Sequence, residues 1–259
     1  MVYELKTRTP ERIELNQRTQ PYLQAYLLMR VAIGALGISL PIVLLAGEVV
    51  FLRNSSLRGS LSAYYYSGMR DVFVGSLCAT GVFLVTYMVT RLNLDNLLSI
   101  TAGLGAFGVA LFPTSRPAGT DQLALTPLQE RLGEGLTARI HLVSAVVFLL
   151  ALAAISWRFA LGEGSRPDRA STSARQRWCR FHKACAIVIL GALVGVALTK
   201  GLNVADTYSL LVGEAVAVFA FGVSWLAKGS EIEILFRRFP DDAARRTDAV
   251  GVAARAGST

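Results

Sequence analysis

The sequence predicts an all-α polytopic membrane protein of six transmembrane helices with both termini cytoplasmic, and three observations carry that expectation. First, six apolar stretches recur along the chain, at about Leu27–Val50, Val72–Thr90, Leu97–Pro113, Ile140–Phe159, Ala184–Leu202 and Tyr208–Leu226. Each is about 17–25 residues, the length a helix rising 1.5 Å per residue needs to cross roughly 30 Å of hydrocarbon. Open strands cannot satisfy their backbone groups in lipid, so helices are the expected form. Second, the 259 residues are 53% hydrophobic and 17% charged, with a mean hydropathy of +0.47; a soluble domain carries about 25% charged residues. Third, with Arg30 set aside inside the first span, 18 Lys and Arg fall on the side of the termini and 7 on the other. Basic loops stay cytoplasmic, which places the termini inside and the protein in the plasma membrane as a multi-pass component.

The chain is therefore divided into a cytoplasmic head over 1–26, a transmembrane domain over 27–228 and a largely disordered cytoplasmic tail over 229–259. The polar head does not have the form of a secretory signal, whose short apolar run ends in a cleavage site, so the first span is expected to act as an uncleaved insertion signal. Pro41 removes a backbone donor in the middle of that span and is expected to kink it. Arg30 is expected to snorkel to the headgroups. The third span is short and rich in small residues (Ala102, Gly103, Gly105, Ala106, Gly108, Ala110), which suits a central position with close backbone contacts. Gly75 with Ala79 and Gly191 with Gly195 have the same spacing on the second and fifth spans. The latter pair allows a homodimer without indicating one. Glu163–Arg177 reads as a flexible cytoplasmic loop, and Trp225 and Lys228 as ordinary interfacial anchors.

Composition and motifs exclude more than they identify. The net charge of +8 does not imply nucleic acid, because the basic residues sit in loops beside apolar spans. Cys78, Cys179 and Cys185 form no Cys-x-x-Cys pair and read as buried or interfacial thiols. The chain has no Gly-x-Ser-x-Gly, phosphate loop or dinucleotide fingerprint. Its two histidines, His141 and His182, cannot build a three-histidine zinc site; a centre of His141, Asp71 and Glu214 would need all three to converge. No cofactor is expected.

The polar residues that need a reason cluster at the outer ends of the spans. Tyr64, Tyr65 and Tyr66 precede Arg70 and Asp71 in SLSAYYYSGMRDVFVG (Ser60–Gly75). Tyrosines suit a membrane interface, yet three in succession cannot all face lipid. Asp71 suits the first turn of a helix, where the dipole favours a carboxylate. His141 opens the fourth span, Lys200 closes the fifth, Asp206 follows it, and Glu214 lies about six residues into the sixth, where a carboxylate is costly unless paired, hydrogen-bonded or protonated. Asp71, His141, Lys200 and Glu214 share one depth, and Asp71, His141 and Glu214 are expected to face the bundle interior with at least two of them within about 6 Å. They form either inter-helix salt bridges or a ligand, proton or catalytic site.

Two segments resemble a known group. GVALFP (Gly108–Pro113) closes the third span, and HLVSAVVF (His141–Phe148) opens the fourth. Both resemble the Frag1/DRAM/Sfk1 type of six-helix membrane protein and related bacterial proteins, which share a small-residue helix ending in Phe-Pro and a histidine opening the next helix. The likeness covers about Ser60–Gly229. It implies a topology; eukaryotic members are linked to autophagy or plasma-membrane lipid organisation, and no catalytic residues transfer. The tyrosine triplet with Arg70 and Asp71 is not part of that eukaryotic pattern.

The first functional reading is a non-enzymatic, outward-opening polar pocket for a small ligand, lipid headgroup or ion, built from Tyr64, Tyr65, Tyr66, Arg70, Asp71, His141, Lys200 and Glu214. The second is a proton-coupled transporter using Asp71, His141 and Glu214, and the third a membrane-embedded hydrolase. A near-absence of charge in the inner half of the spans favours binding over transport. Lipid is the expected surrounding partner.

Overall fold

The computed structural model describes residues 10–51, 53, 57–87, 93–117, 124–164, 172–202 and 208–228. The chain divides into two units. In the unit formed by Met1–Leu27 and Gly229–Thr259, the described residues form a helix from Pro10. The tail and Asp206 lie outside the described residues. The unit Leu28–Lys228 carries everything that follows.

Among the described residues the fold is all-helical. Helix α1 spans Pro10–Val50, a short 3₁₀ turn Ser62–Tyr66, α2 Arg70–Thr86, α3 Leu94–Leu111, α4 Pro127–Leu132, α5 Glu134–Gly164, α6 Thr172–Gly201 and α7 Ser209–Lys228. Five of these are long and apolar enough to cross a membrane, through Leu27–Val50, Leu94–Leu111, Glu134–Glu163, Arg175–Gly201 and Ser209–Lys228. Helix α2 has 17 residues. Large apolar side chains such as Leu104, Leu142, Val194 and Val212 are exposed, while Ala102, Ala106, Ala160 and Ala217 are buried. Small residues inside and large ones outside suit a bundle whose surroundings are as apolar as its side chains.

Local chemistry sets the helix ends. Asn93 caps α3 by accepting from the Asn96 amide at 2.8 Å. Thr126 and Gln129 form a reciprocal capping box on α4. Gly133 then turns the chain into α5 at φ +83°, a backbone region that disfavours a side chain.

Close approaches fix the packing. Helix α3 lies between α2 and α5. A β-carbon on Gly103 would stand 2.8 Å from the Gly81 carbonyl, and one on Gly105 would stand 3.0 Å from the Phe148 backbone. Ser99 Oγ donates to the Leu84 carbonyl at 2.6 Å, tying α3 to α2. Helices α1 and α7 cross where Gly37 meets Gly222: a β-carbon on Gly222 would lie 2.7 Å from Ile38 N. Pro41 sits one turn beyond that crossing, within a helix that continues to Val50.

Several expectations are corrected here. Gly75, Gly191 and Gly195 face open space, so the small-residue pairs on α2 and α6 do not pack this bundle; Gly81 and Gly213 make the close approaches on α2 and α7. Arg30 is only 4% exposed and does not snorkel. Trp225 is 1% exposed, a core residue between Tyr87, Phe159 and Phe221. Lys228 is ion-paired with Glu163 at 2.5 Å, so the start of the supposed flexible loop is a buried helix end. Its final part is helical too, since α6 begins at Thr172; residues 165–171 lie outside the described residues.

Candidate functional site

A cavity of about 600 Å³ lies between α5, α6 and α7 at the end of the bundle where the 3₁₀ turn sits. Helix periodicity builds its walls. Leu193, Val196, Ala197 and Lys200 form one i, i+3, i+4, i+7 stripe of α6. Ala138, Leu142 and Ala145 do the same on α5, and Leu210 and Glu214 are one turn apart on α7. Gly213 permits the approach of α6, since the Val196 side chain occupies the space a β-carbon would need. Ser60 and Ser62, from the connection between α1 and α2, complete the polar wall.

That connection is held down by α7. The Leu211 amide donates to the Gly59 carbonyl at 3.0 Å. The amides of Leu61 and Ser62 donate to Glu214 Oε2 at 2.7 and 3.3 Å. Ser62 Oγ lies 3.2 Å from Glu214 Oε1 and 2.9 Å from His141 Nε2. His141 is 4% exposed, and its Nδ1 is 2.7 Å from the Phe112 carbonyl.

Counting donors assigns the protons. A carbonyl only accepts, so His141 Nδ1 carries a proton that it donates to Phe112. Ser62 has one hydroxyl proton and two neighbours that can accept it. Two arrangements satisfy both contacts. In one, protonated Glu214 donates to Ser62, which donates to neutral His141. In the other, imidazolium Nε2–H donates to Ser62, which donates to the carboxylate. Each contains one proton shared by the ends of the chain. Without it, Ser62 satisfies only one neighbour.

Three of the eight residues singled out from the sequence, His141, Lys200 and Glu214, line the cavity. The other five do not. Asp71 is exposed in the first turn of α2 and does not face the bundle interior. Arg70 donates to the Tyr65 hydroxyl at 2.9 Å, with its guanidinium 4.5 Å from the ring centroid. Tyr64 is fully buried. Tyr66 donates to the Thr114 carbonyl at 2.5 Å and accepts from Gln129 at 2.7 Å. Burial, foremost, raises the Tyr64 and Tyr66 phenols above their usual range. The tyrosines brace the turn that carries Ser62.

Sequence reasoning missed Ser62, Ser60 and Arg139. Ser62 lies within the stretch singled out for its tyrosines, but no periodicity marks which loop serine turns inward. Among the described residues no group of three His, Cys, Asp or Glu could hold a metal ion.

The opposite end contains a second polar cluster. His182, fully buried, has Nδ1 2.9 Å from Ser224 Oγ. The rings of Phe159, Trp178 and Phe181 surround it at centroid distances of 5.8, 6.3 and 5.4 Å. Arg158 and Asp95 pair at 2.6 Å. Arg30, Glu163 and His182 are all buried, which corrects the expectation of a nearly uncharged half.

No family model, curated protein or solved structure matches the chain.

Proposed function

We propose that this is a plasma-membrane protein of six spans, both termini cytoplasmic, whose cavity opens outward and binds a small ligand without transforming it. The cavity itself carries the reading: about 600 Å³, within the range of ligand pockets, with one hydrogen-bonded polar wall, Arg139 and Lys200 on the lining, and an apolar wall from α5 and α6. Helix α2 is the sixth span; its 17 residues reach about 25 Å at 1.5 Å each. Likeness to the Frag1/DRAM/Sfk1 type supports the topology, and its two motifs are the segments joined by the His141–Phe112 hydrogen bond.

Binding is favoured over hydrolysis by the fate of the amide donors. A serine nucleophile at Ser62 would need free donors for the developing oxyanion. The Leu61 and Ser62 amides are committed to Glu214, and the Ala63 amide to Ser60 Oγ at 2.9 Å. Proton-coupled transport is the second reading. It rests on the relocatable proton between Glu214 and His141, and on the ionisable groups buried at both ends.

The test uses a cysteine at Ser115, an exposed cavity-lining position, with the native cysteines replaced by alanine. An impermeant thiol reagent should label it in intact cells, and Ala145→Trp, which fills the cavity, should abolish thermal shifts across a lipid and small-molecule panel. Labelling only after lysis overturns the orientation; ligand shifts that survive Ala145→Trp overturn the pocket.

A further inference from the structure

The geometry points to an anionic amphiphile as the ligand of this cavity, its phosphate or carboxylate headgroup against Lys200 and Arg139 and one acyl chain along the apolar wall. This rests on the pocket reading above and specifies its ligand.

The charge inventory is the first observation. Four ionisable side chains line the cavity: His141, Glu214, Arg139 and Lys200. The first two are committed to each other through Ser62, and Glu214 accepts two amides besides. Arg116, on the neighbouring segment, is neutralised by Glu134 at 3.1 Å. Arg139 and Lys200 differ: each is exposed and neither makes an ion pair among the described residues, although Lys200 is in longer-range attraction to Glu214. Arg139 makes one hydrogen bond, from Nε to the Gly135 carbonyl of its own helix at 3.3 Å. Two cations without an ion-pair partner among the described residues therefore face one cavity from two helices, Lys200 in longer-range attraction to Glu214, and together they attract an anion.

Shape is the second observation. Below the cations the lining turns apolar. Val196 lies about one turn and Leu193 about two turns from Lys200 on α6; Leu142 and Val146 stand in the matching place on α5. Leu142 and Ala197 line the cavity and are also exposed, so it opens at the side of the bundle between α5 and α6. A free inorganic anion would leave this wall uncovered; a chain entering from the side covers it while its headgroup stays at the cationic end.

The experiment uses the full-length protein in neutral detergent, with lipid binding counted by native mass spectrometry. The probes are phosphatidylglycerol, phosphatidylcholine of identical chains, and inorganic phosphate. Phosphatidylglycerol should bind about tenfold more tightly than phosphatidylcholine, as two basic groups near a headgroup allow. Arg139→Gln with Lys200→Gln should erase that preference while leaving the melting temperature unchanged. Equal affinities in the parent protein, or a preference that survives the double substitution, overturn the anionic class. Inorganic phosphate competing at the same concentration as phosphatidylglycerol overturns the amphiphile in favour of a free anion. Ala145→Trp keeps the two readings distinguishable. If it removes both lipids while the charge substitutions do nothing, the pocket stands and its ligand is not anionic; if it removes neither, both readings fail.

Discussion

Each end of the bundle buries a histidine against a serine hydroxyl, and the two pairs lead to different places. His141 meets Ser62 at 2.9 Å, and His182 meets Ser224 at the same distance. Beside the first lies an open cavity lined by two exposed cations, Arg139 and Lys200, that make no ion pair among the described residues. Around the second stand three aromatic rings, and the nearby Lys228 is spent on Glu163. The pair itself is therefore uninformative about function. What differs is the surroundings: His141 lines a cavity, whereas His182 is enclosed by rings.

The largest expected effect falls at the scaffolding end. Gly222→Val places atoms within 3 Å of the α1 backbone, which cannot move aside as a side-chain tip can. It should cost more than about 4 kcal/mol and abolish a monodisperse detergent peak. Gly195→Val, facing open space, should leave that peak intact. If both variants purify alike, the crossing is not what holds the bundle.

Next comes the buried ion pair. Glu163→Ala strands the Lys228 ammonium and should cost about 3–5 kcal/mol, read as a large fall in detergent melting temperature. Glu163→Gln combined with Lys228→Met should recover most of it. A single variant that melts like the parent would remove the distinction between the two ends.

The smallest effect is expected at the cavity, from the conservative Glu214→Gln. Glu214→Ala orphans the Leu61 and Ser62 amides, at about 1–3 kcal/mol each. Glu214→Gln retains an oxygen for those amides and should change stability by less than about 1 kcal/mol. If Gln is as damaging as Ala, the carboxylate charge serves structure, and the cavity end is scaffolding too.

Much of this was readable in the sequence, and what was hidden follows a physical pattern. Apolar runs of membrane length exposed five helices because that signal is compositional; α2, at 17 residues, lies at the lower edge of the range. His141, Lys200 and Glu214 stood out because ionisable groups are rare in such runs. Asp71 stood out for the same reason, but its helix turns it outward, and the apolar surroundings of α2 give no periodicity from which to read its face. Ser62 was invisible, since a serine in a loop costs nothing until the fold places a histidine beside it. Gly222 gave no warning either: it lacks a small partner four residues away on α7, and its partner, Gly37, is on the first helix.

The hydrogen bonds that fasten the first connection to α7 also have a consequence for how the protein is made. Gly59, Leu61 and Ser62 find their partners in Leu211 and Glu214, about 150 residues later. A ribosome adding roughly 10 residues per second needs about 15 s to bridge that interval. During that time the turn carrying Ser62 has no partner from α7. The connection between α1 and α2 therefore settles late, and the cavity closes its polar wall only after α7 has been made.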